Sequence, residues 1–378
     1  MELVELGKEK AVNWKLARLG DVLKYEQPTK YIVNSTQYED SFKTPVLTAG
    51  QSFLLGYTDE VDNIYEDFPV IIFDDFTTAT KYVDFPFKVK SSAMKILKAD
   101  DKIADIRFLF YLLQTIKLDS EQHKRYWISK YAELQIPLPN LETQKRIAAI
   151  LDEADTLRQL NKQLIAKYDK LTQSLFLDMF GDPVMNSKGW EKVKFNDVGK
   201  LDRGKSKHRP RNAPELLGGK YPLIQTGDIA NSGGYITEFN STYSEIGLAQ
   251  SRMWRAGTLC ITIAANIAKT GILTFDACFP DSVVGFIPNE KTNVVFTQFW
   301  ISFLQKILED SAPESAQKNI NLSILRDLDF MNPPIHLQNQ FAERVQLIEQ
   351  QKQQAQDALQ KSEALFNSLL QQAFKGAL

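Results

Sequence analysis

Asn332-Pro333-Pro334 is the stretch of this 378-residue chain closest to a catalytic motif. Adenine-specific DNA methyltransferases carry Asn-Pro-Pro followed by an aromatic ring that stacks on the base, and here the next residue is Ile335. The run therefore reads as chain leaving a domain for a helix, as Leu138-Pro139-Asn140 does earlier. Asp74-Asp75 is a paired carboxylate with no lysine-bearing nuclease pattern after it. His123, His208 and His336 are too far apart for a metal-ligand spacing. The two cysteines, Cys260 and Cys278, sit in apolar surroundings where a buried free thiol is the default, which fits a reducing cytoplasm. Gly218-Gly219-Lys220 lacks the rest of a phosphate loop, and no glycine-rich strand-to-helix turn is present to hold a nucleotide. With no Ser-His-Asp or Cys-His arrangement either, the expectation is a chain that is no enzyme by itself and holds no metal.

Cations are the remaining chemistry. Lys200 to Arg211, KLDRGKSKHRPR, holds six Lys/Arg against one Asp, interleaved with Gly204, Ser206 and Pro210. That composition describes an ordered loop presenting positive charge to phosphates. The whole chain has net charge −2, which excludes a uniformly basic coat and leaves a local patch. The opening MELVELGKEK has no hydrophobic signal core, and the most apolar window, Leu259 to Phe275, contains Asn266 and Lys269 and is too short to span a bilayer. The expected location is the cytoplasm, with no membrane contact.

The elements that must position these residues are repeated. At a shift of 194, Ser129 falls on Ser323, Leu134 on Leu328, Pro139 on Pro333 and Gln144 on Gln338, and the register continues to Phe180 and Phe374. Near the start of each half the shift is 176, with Trp14 on Trp190 and Asp21 on Asp197, so the second globular part carries eighteen extra residues. This is duplication of a large unit, a globular domain followed by a long helix. The expected boundaries are 1–140 for the first domain, 141–180 for a central helix, 181–334 for the second domain and 335–378 for a C-terminal helix. Short β-type runs such as Val70-Ile71-Ile72-Phe73 and buried helical patterns at 106–116 and 296–307, without strict βαβ alternation, make each domain α+β.

Glu142 to Met179 carries a heptad pattern over roughly 57 Å of helix. The a positions are Ile147, Ala154, Asn161, Tyr168 and Leu175, and the d positions are Ile150, Leu157, Leu164 and Leu171. Gly181 and Pro183 stop it. The second helix repeats a weaker seam, Val345, Ile348, Ala355, Leu359, Phe366 and Leu369, among many Gln. The two should pair antiparallel as a coiled coil, with Asn161 pinning the alignment opposite Ala355.

Two divergent domains, each followed by a long helix, resemble the DNA-specificity (S) subunit of type I restriction-modification systems. The resemblance covers essentially the whole chain. It rests on the paired domain-to-helix junctions (Leu134 to Ile147 and Pro333 to Phe341), on Leu175 to Pro183 with Trp190, and on Gln250-Ser251-Arg252-Met253-Trp254. It implies two target-recognition domains, each reading one half of a bipartite DNA site, held apart by the helix pair as a spacer. It also implies docking of two methyltransferase (M) subunits and, in the full host-defence complex, restriction (R) subunits. S-adenosylmethionine, ATP and Mg are then expected on the partners, with no cofactor on this chain. Other readings of the same residues are a non-enzymatic coiled-coil scaffold tethering two binding domains, and a degenerate DNA methyltransferase.

Contacts to double-stranded DNA should come from polar loop residues, Arg, Lys, Asn and Gln to base edges and Lys, Arg, Ser and Thr to phosphates. The candidates in the first domain are Lys43, Gln51, Ser52, Thr77, Thr78 and Lys81. In the second they are Arg203, Lys205, Ser206, Lys207, Arg209, Arg211, Gln225, Thr226, Asn231, Asn266 and Lys269.

Overall fold

The computed structural model describes residues 14–50, 52–116, 126–264, 266–310 and 320–378. They fall into two compact units that divide both long helices midway: Met1–Gln163 with Gln356–Leu378, and Leu164–Ala355. Each unit therefore combines one globular domain with the start of one long helix and the end of the other.

In the first domain the strands are β1 (Lys15–Arg18), β2 (Leu23–Glu26), β3 (Thr44–Leu47), β4 (Leu54–Thr58), β5 (Val70–Asp74), β6 (Thr80–Val83), β7 (Lys88–Val89), β8 (Met94–Ala99) and β9 (Gln135–Leu138). Helices α1 (Leu19–Val22), α2 (Ile106–Thr115) and α3 (Tyr126–Ser129) precede the long α4 (Leu141–Phe180). One sheet has the order β2-β8-β5-β6, a second β4-β3-β7, and β1 pairs with β9. β5 is buried along its whole length, which is why Val70 to Phe73 reads as a continuous apolar run.

The second domain repeats the plan. Its strands are β10 (Lys192–Lys194), β11 (Gly199–Arg203), β12 (Leu217–Leu223), β13 (Tyr235–Ile236), β14 (Ser241–Tyr243), β15 (Met253–Trp254), β16 (Leu259–Thr262), β17 (Thr270–Leu273), β18 (Ala277–Cys278), β19 (Val283–Pro288) and β20 (Asp329–Met331). Its helices are α5 (Thr226–Ala230), α6 (Glu245–Ala249), α7 (Val294–Asp310), α8 (Leu322–Arg326) and the long α9 (Ile335–Phe374). The sheet order β11-β19-β16-β17 answers β2-β8-β5-β6, with β13 added at the edge. β14-β12-β18 answers β4-β3-β7, with β15 added. Leu47 to Ile71 is a step of 24 residues and Leu223 to Leu259, the register equivalent of Ile71, a step of 36, so twelve of the extra residues lie there, around α5, β13, α6 and β15. Cys260 and Cys278 are buried in this domain, and burial pushes both thiols up.

Both domain-to-helix junctions are built alike. Asn140 caps α4 by accepting from the Thr143 N–H at 2.9 Å. Asn332-Pro333-Pro334 does the corresponding work for α9: the Pro334 carbonyl accepts from Leu337 N at 2.9 Å, and the Pro333 carbonyl accepts from Gln338 Nε2 at 2.8 Å. Aromatic rings lock the helices to the domains. In the first unit Phe374 packs on Phe108 and Phe366 on Tyr111. In the second, Phe180 packs on Phe296 and Phe341, with Phe176 alongside. Truncating such a buried ring to Ala costs about 3–5 kcal/mol.

Within each unit the helices run antiparallel. In the first, Asn161 Nδ2 donates to Ser362 Oγ at 3.3 Å, Lys162 pairs with Glu363 at 3.3 Å, and the Arg158 guanidinium lies 4.2 Å from the Phe366 ring. In the second, Lys352 pairs with Asp169 at 2.6 Å. Two expectations are corrected here. Asn161 meets Ser362, one heptad further along α9 than Ala355. The row Ile150, Leu157, Leu164 and Leu171 is also out of phase, since Leu157, Leu164 and Leu171 are 46%, 40% and 49% exposed. Buried Gln144, Ile147, Ala148 and Leu151 set the phase where α4 leaves its domain, and three- and four-residue steps from Leu151 lead to Ala154, Arg158, Asn161 and the buried Thr172. The leucines drew attention by being more apolar than Arg158 and Thr172, which take the true seam. In α9 the expected seam holds, with Val345, Ala355 and Phe366 buried.

Candidate nucleic-acid interface

The basic run of the second domain follows β11 as a loop held from two sides. Gln250, which caps the end of α6, uses one side-chain oxygen to accept from the backbone N–H groups of Lys207 at 2.6 Å and His208 at 3.1 Å. Ser251 Oγ donates to the Lys205 carbonyl at 2.9 Å. On the other side stands Asp281. Its carbonyl accepts from Arg203 Nε at 2.9 Å, one carboxylate oxygen takes Arg211 Nη2 at 2.5 Å, and the other lies 3.5 Å from Arg209 Nη2. Lys205 and Lys207 are exposed between these anchors, with no acid within ion-pairing distance among the described residues.

Ser206, Arg211, Gln225 and Thr226 line one cleft, with Asn212 and Ser282 beside them. Ser206 is 6% exposed, and its hydroxyl has no hydrogen-bond partner among the described residues. Gln225 precedes α5, where its N–H donates to Asp228 Oδ2 at 2.8 Å, and Thr226 opens that helix. Asn231 lies at the other end of α5. Asn266 and Lys269 are not brought to this cleft. They sit on the β16–β17 turn, where Lys269 Nζ donates to Gln305 Oε1 of α7 at 3.3 Å and lines a different cleft with Tyr235, Gln298 and Glu349. Burial pushes the Glu349 carboxyl up, the Lys352 ammonium opposes it, and Asp169 adds to the rise.

The first domain offers a different surface. Thr77 and Lys81 line a cleft with Phe53, Ile72 and Asp74. Buried Asp74 accepts from Thr77 Oγ1 at 2.5 Å and from Phe76 N at 2.9 Å, which fixes the β5–β6 turn. Thr78 takes a left-handed backbone (φ 61°) at the tip, as Ala268 (φ 57°) does on the β16–β17 turn. Ser52 is exposed beyond β3, Lys43 is exposed just before it, and Gln51 lies outside the described residues. Asp75 is consumed structurally: it pairs with buried Lys95 at 3.4 Å and accepts from Trp127 N at 2.9 Å. The loop after β2 is held by Glu60, whose Oε1 accepts from Asn34 N at 2.8 Å and Ser35 N at 2.9 Å. Burial works to raise the Glu60 carboxyl, but buried Lys88, 2.8 Å away, and these two amides win and hold it below its ordinary value.

Glu60, Gln250 and Asp281 were missed by sequence reasoning. Gln250 belongs to a run noted as family-like, but nothing local joins it to a loop 43 residues earlier. Asp281 stands between Pro280 and Ser282 as an isolated acid, with no spacing signal at all.

No group of three or more His, Cys, Asp or Glu among the described residues is placed to hold a metal, and no helix among them is long and apolar enough to cross a membrane. Two domains on one framework, with chemically different polar clefts, define the class as a duplicated recognition protein. The family described as type I restriction modification DNA specificity domain matches residues 11–168 and 187–361, and the chain belongs to it. It is similar to the EcoR124I/EcoR124II specificity subunit of Escherichia coli, 33% identical over 298 residues, which are 74% of this chain and 72% of that one. Among solved structures, the S subunit of a type I restriction-modification system from M. genitalium matches with a TM-score of 0.63 at 16% identity, covering 97% of each chain. A structure titled for complex assembly and conformational transition of the type I R-M system matches with a TM-score of 0.56 at 17% identity, covering 98% of this chain and 100% of that one. The chain is thus a DNA-recognition subunit of a type I restriction-modification system; catalysis lies with other subunits of that system.

Proposed function

We propose that this chain reads an asymmetric, bipartite double-stranded DNA target, one half-site per domain, and presents it to two methyltransferase subunits, with restriction subunits joining the full complex. The observation that carries the reading is the pair of clefts. The same strand order supports an arginine- and glutamine-lined surface in the second domain and a threonine-, lysine- and aspartate-lined one in the first. Copies reading identical half-sites would have no need to differ there. Phosphate contacts fall to exposed Lys205 and Lys207, and base contacts to the cleft residues. The chain binds no cofactor; S-adenosylmethionine, ATP and Mg reside on its partners, in the cytoplasm where the DNA is. With a net charge of −2 it holds DNA weakly alone and tightly once methyltransferase subunits close on the duplex.

Co-expression with the cognate methyltransferase subunit and genome-wide mapping of methylated positions tests this. The expected motif has two unlike halves around a fixed gap. A continuous or palindromic motif would overturn the bipartite, asymmetric reading, and methyl transfer by the purified chain without partners would overturn the subunit reading.

A further inference from the structure

We propose that Asp281 is a positioning residue that buttresses Arg211 as the reader of a guanine in the half-site of the second domain. The inference rests on the DNA-reading role proposed above. Asp281 gathers three guanidinium groups, Arg203 through its carbonyl and Arg209 and Arg211 through its carboxylate. Arg203, Arg209 and Arg211 are all exposed, and a lone exposed arginine spreads over many rotamers. Arg211 donates through Nη2 to the carboxylate, and its Nε and Nη1 have no partner among the described residues.

Nη2 carries two hydrogens and Asp281 takes one, so one of the two paired-donor edges of the guanidinium, Nε with Nη2 or Nη1 with Nη2, still presents two parallel N–H donors. Guanine is the base that offers two acceptors, O6 and N7, side by side in the major groove. The cleft that Arg211 lines points the same way. Ser206, more than nine-tenths buried, leaves its hydroxyl unpartnered there, and Gln225 and Thr226 line the same cleft. A buried hydroxyl without a partner is costly unless a ligand atom supplies one.

The device belongs to one domain. The strand registers Glu26↔Ile96 and Asp202↔Gly285 put Gln27 and Ser92 of the first domain where the second has Arg203 and Asp281. Neither the acid nor its arginine is present in the first copy, so the buttress separates what the two half-sites read. Asp281 also repels phosphates, so its presence trades general affinity for selectivity.

The test uses the full chain in complex with its methyltransferase subunits and the mapped methylation motif as readout, with binding measured over a range of salt. For Arg211→Gln, a G at one position of one half-site should lose its preference by about 5- to 150-fold, with the other half-site unchanged. Arg211→Lys keeps the charge and loses the paired donors, so it should relax the same position. Asp281→Asn should relax it too, while retention on unrelated DNA stays equal or rises. Unchanged motifs in both arginine variants would overturn the assignment of Arg211. An Asp281→Asn protein whose binding falls equally on every sequence, with an intact motif, would overturn the buttress. If Asp281→Asn fails to fold, judged by its melt beside the wild type, the two arginine variants still decide the reader. A wild-type complex that methylates with no sequence preference overturns the proposed function itself, which the variants do not touch.

Discussion

Gln144 and Gln338, 194 residues apart, make three matching hydrogen bonds in two different domains, and Gln338 accepts a fourth from Thr292 Oγ1 at 2.8 Å. Each is fully buried. Gln144 accepts from the Asp105 N–H at 2.8 Å and donates to the carbonyls of Ile103 at 3.0 Å and Pro139 at 2.8 Å. Gln338 accepts from Asn293 N at 2.9 Å and donates to the carbonyls of Lys291 at 3.3 Å and Pro333 at 2.8 Å. One carboxamide thus ties together the start of a long helix, the strand before it and the turn that leads into α2 or α7. The junction keeps this glutamine in both copies of the duplicated unit, because a buried amide satisfied at both ends has no near-isosteric substitute.

Replacing Gln144 with Ala should leave two carbonyls and one N–H unpaired in the interior, at a cost of about 2–4 kcal/mol. Gln338→Ala should cost a similar amount, and the double variant should lose the sum, since the two share no partner. Urea denaturation combined with hydrogen exchange at the Asp105 and Asn293 amides measures both. Each variant should speed exchange at its own amide only; loss of protection at both from one substitution would refute the idea of independent latches.

The Asn161–Ser362 hydrogen bond is the register contact in the first unit. A double-mutant cycle with Asn161→Ala and Ser362→Ala should yield a coupling of about 0.5–1 kcal/mol. The same cycle with Asn161→Ala and Ala355→Gly should yield none. A coupling in the second cycle and none in the first would restore the alignment expected from the heptads.

Why was so much of the frame legible and so little of the site? The repeat register crosses the whole chain because junction residues such as Gln144 and Gln338 cannot drift, and β5 announces itself as an unbroken apolar run. The a row of α4, Ile147, Ala154 and Asn161, reads correctly, but its d row failed by one residue because heptad reading ranks residues by hydrophobicity. Arg158 takes an interior position by stacking on Phe366 and bonding Asp155, which a sequence cannot reveal. The candidate interface was half legible. A cationic run such as 200–211 is local, but the residues that shape it, Gln250 and Asp281, arrive from 40 to 80 positions away through strand pairing.

Acid should loosen the first domain's loop at Asn34 and Ser35 before it touches the corresponding loop of the second. Glu60 is held below its ordinary value by Lys88 and the two amides, against burial. A carboxyl depressed in the folded state contributes stability that is complete above its unfolded value, near 4.5, and is lost as pH falls through the folded one. Neutral Gln250 has no such dependence. Amide exchange or chemical shifts at Asn34, Ser35, Lys207 and His208 between pH 6 and pH 3 should show the first pair responding alone. Glu60→Gln should remove the pH response and destabilise the domain by about 3–5 kcal/mol, because it leaves the Lys88 ammonium buried without its carboxylate. Equal acid sensitivity of both loops would sink the argument.

The leucines left outside the seam of α4 are the place where a methyltransferase subunit should grip. Leu157, Leu160, Leu164 and Leu171 follow one another at three-, four- and seven-residue steps on one side of the helix, all at least 40% exposed. The corresponding stretch of α9, at a shift of 194, carries Gln351, Gln354, Ala358 and Leu365, so the two helices offer unequal apolar surfaces. Leu157→Glu and Leu164→Glu should each change the stability of the isolated chain by no more than about 0.5 kcal/mol, because neither side chain is in the seam. Both should nevertheless weaken capture of the methyltransferase subunit by at least about 10-fold, since each would bury a charge against an apolar partner. Gln351→Glu and Gln354→Glu should weaken it less. Titration of tagged chain with purified methyltransferase subunit, followed by mass measurement of the complexes, separates these cases. Wild-type affinity in the leucine variants would place the docking surface elsewhere on the chain.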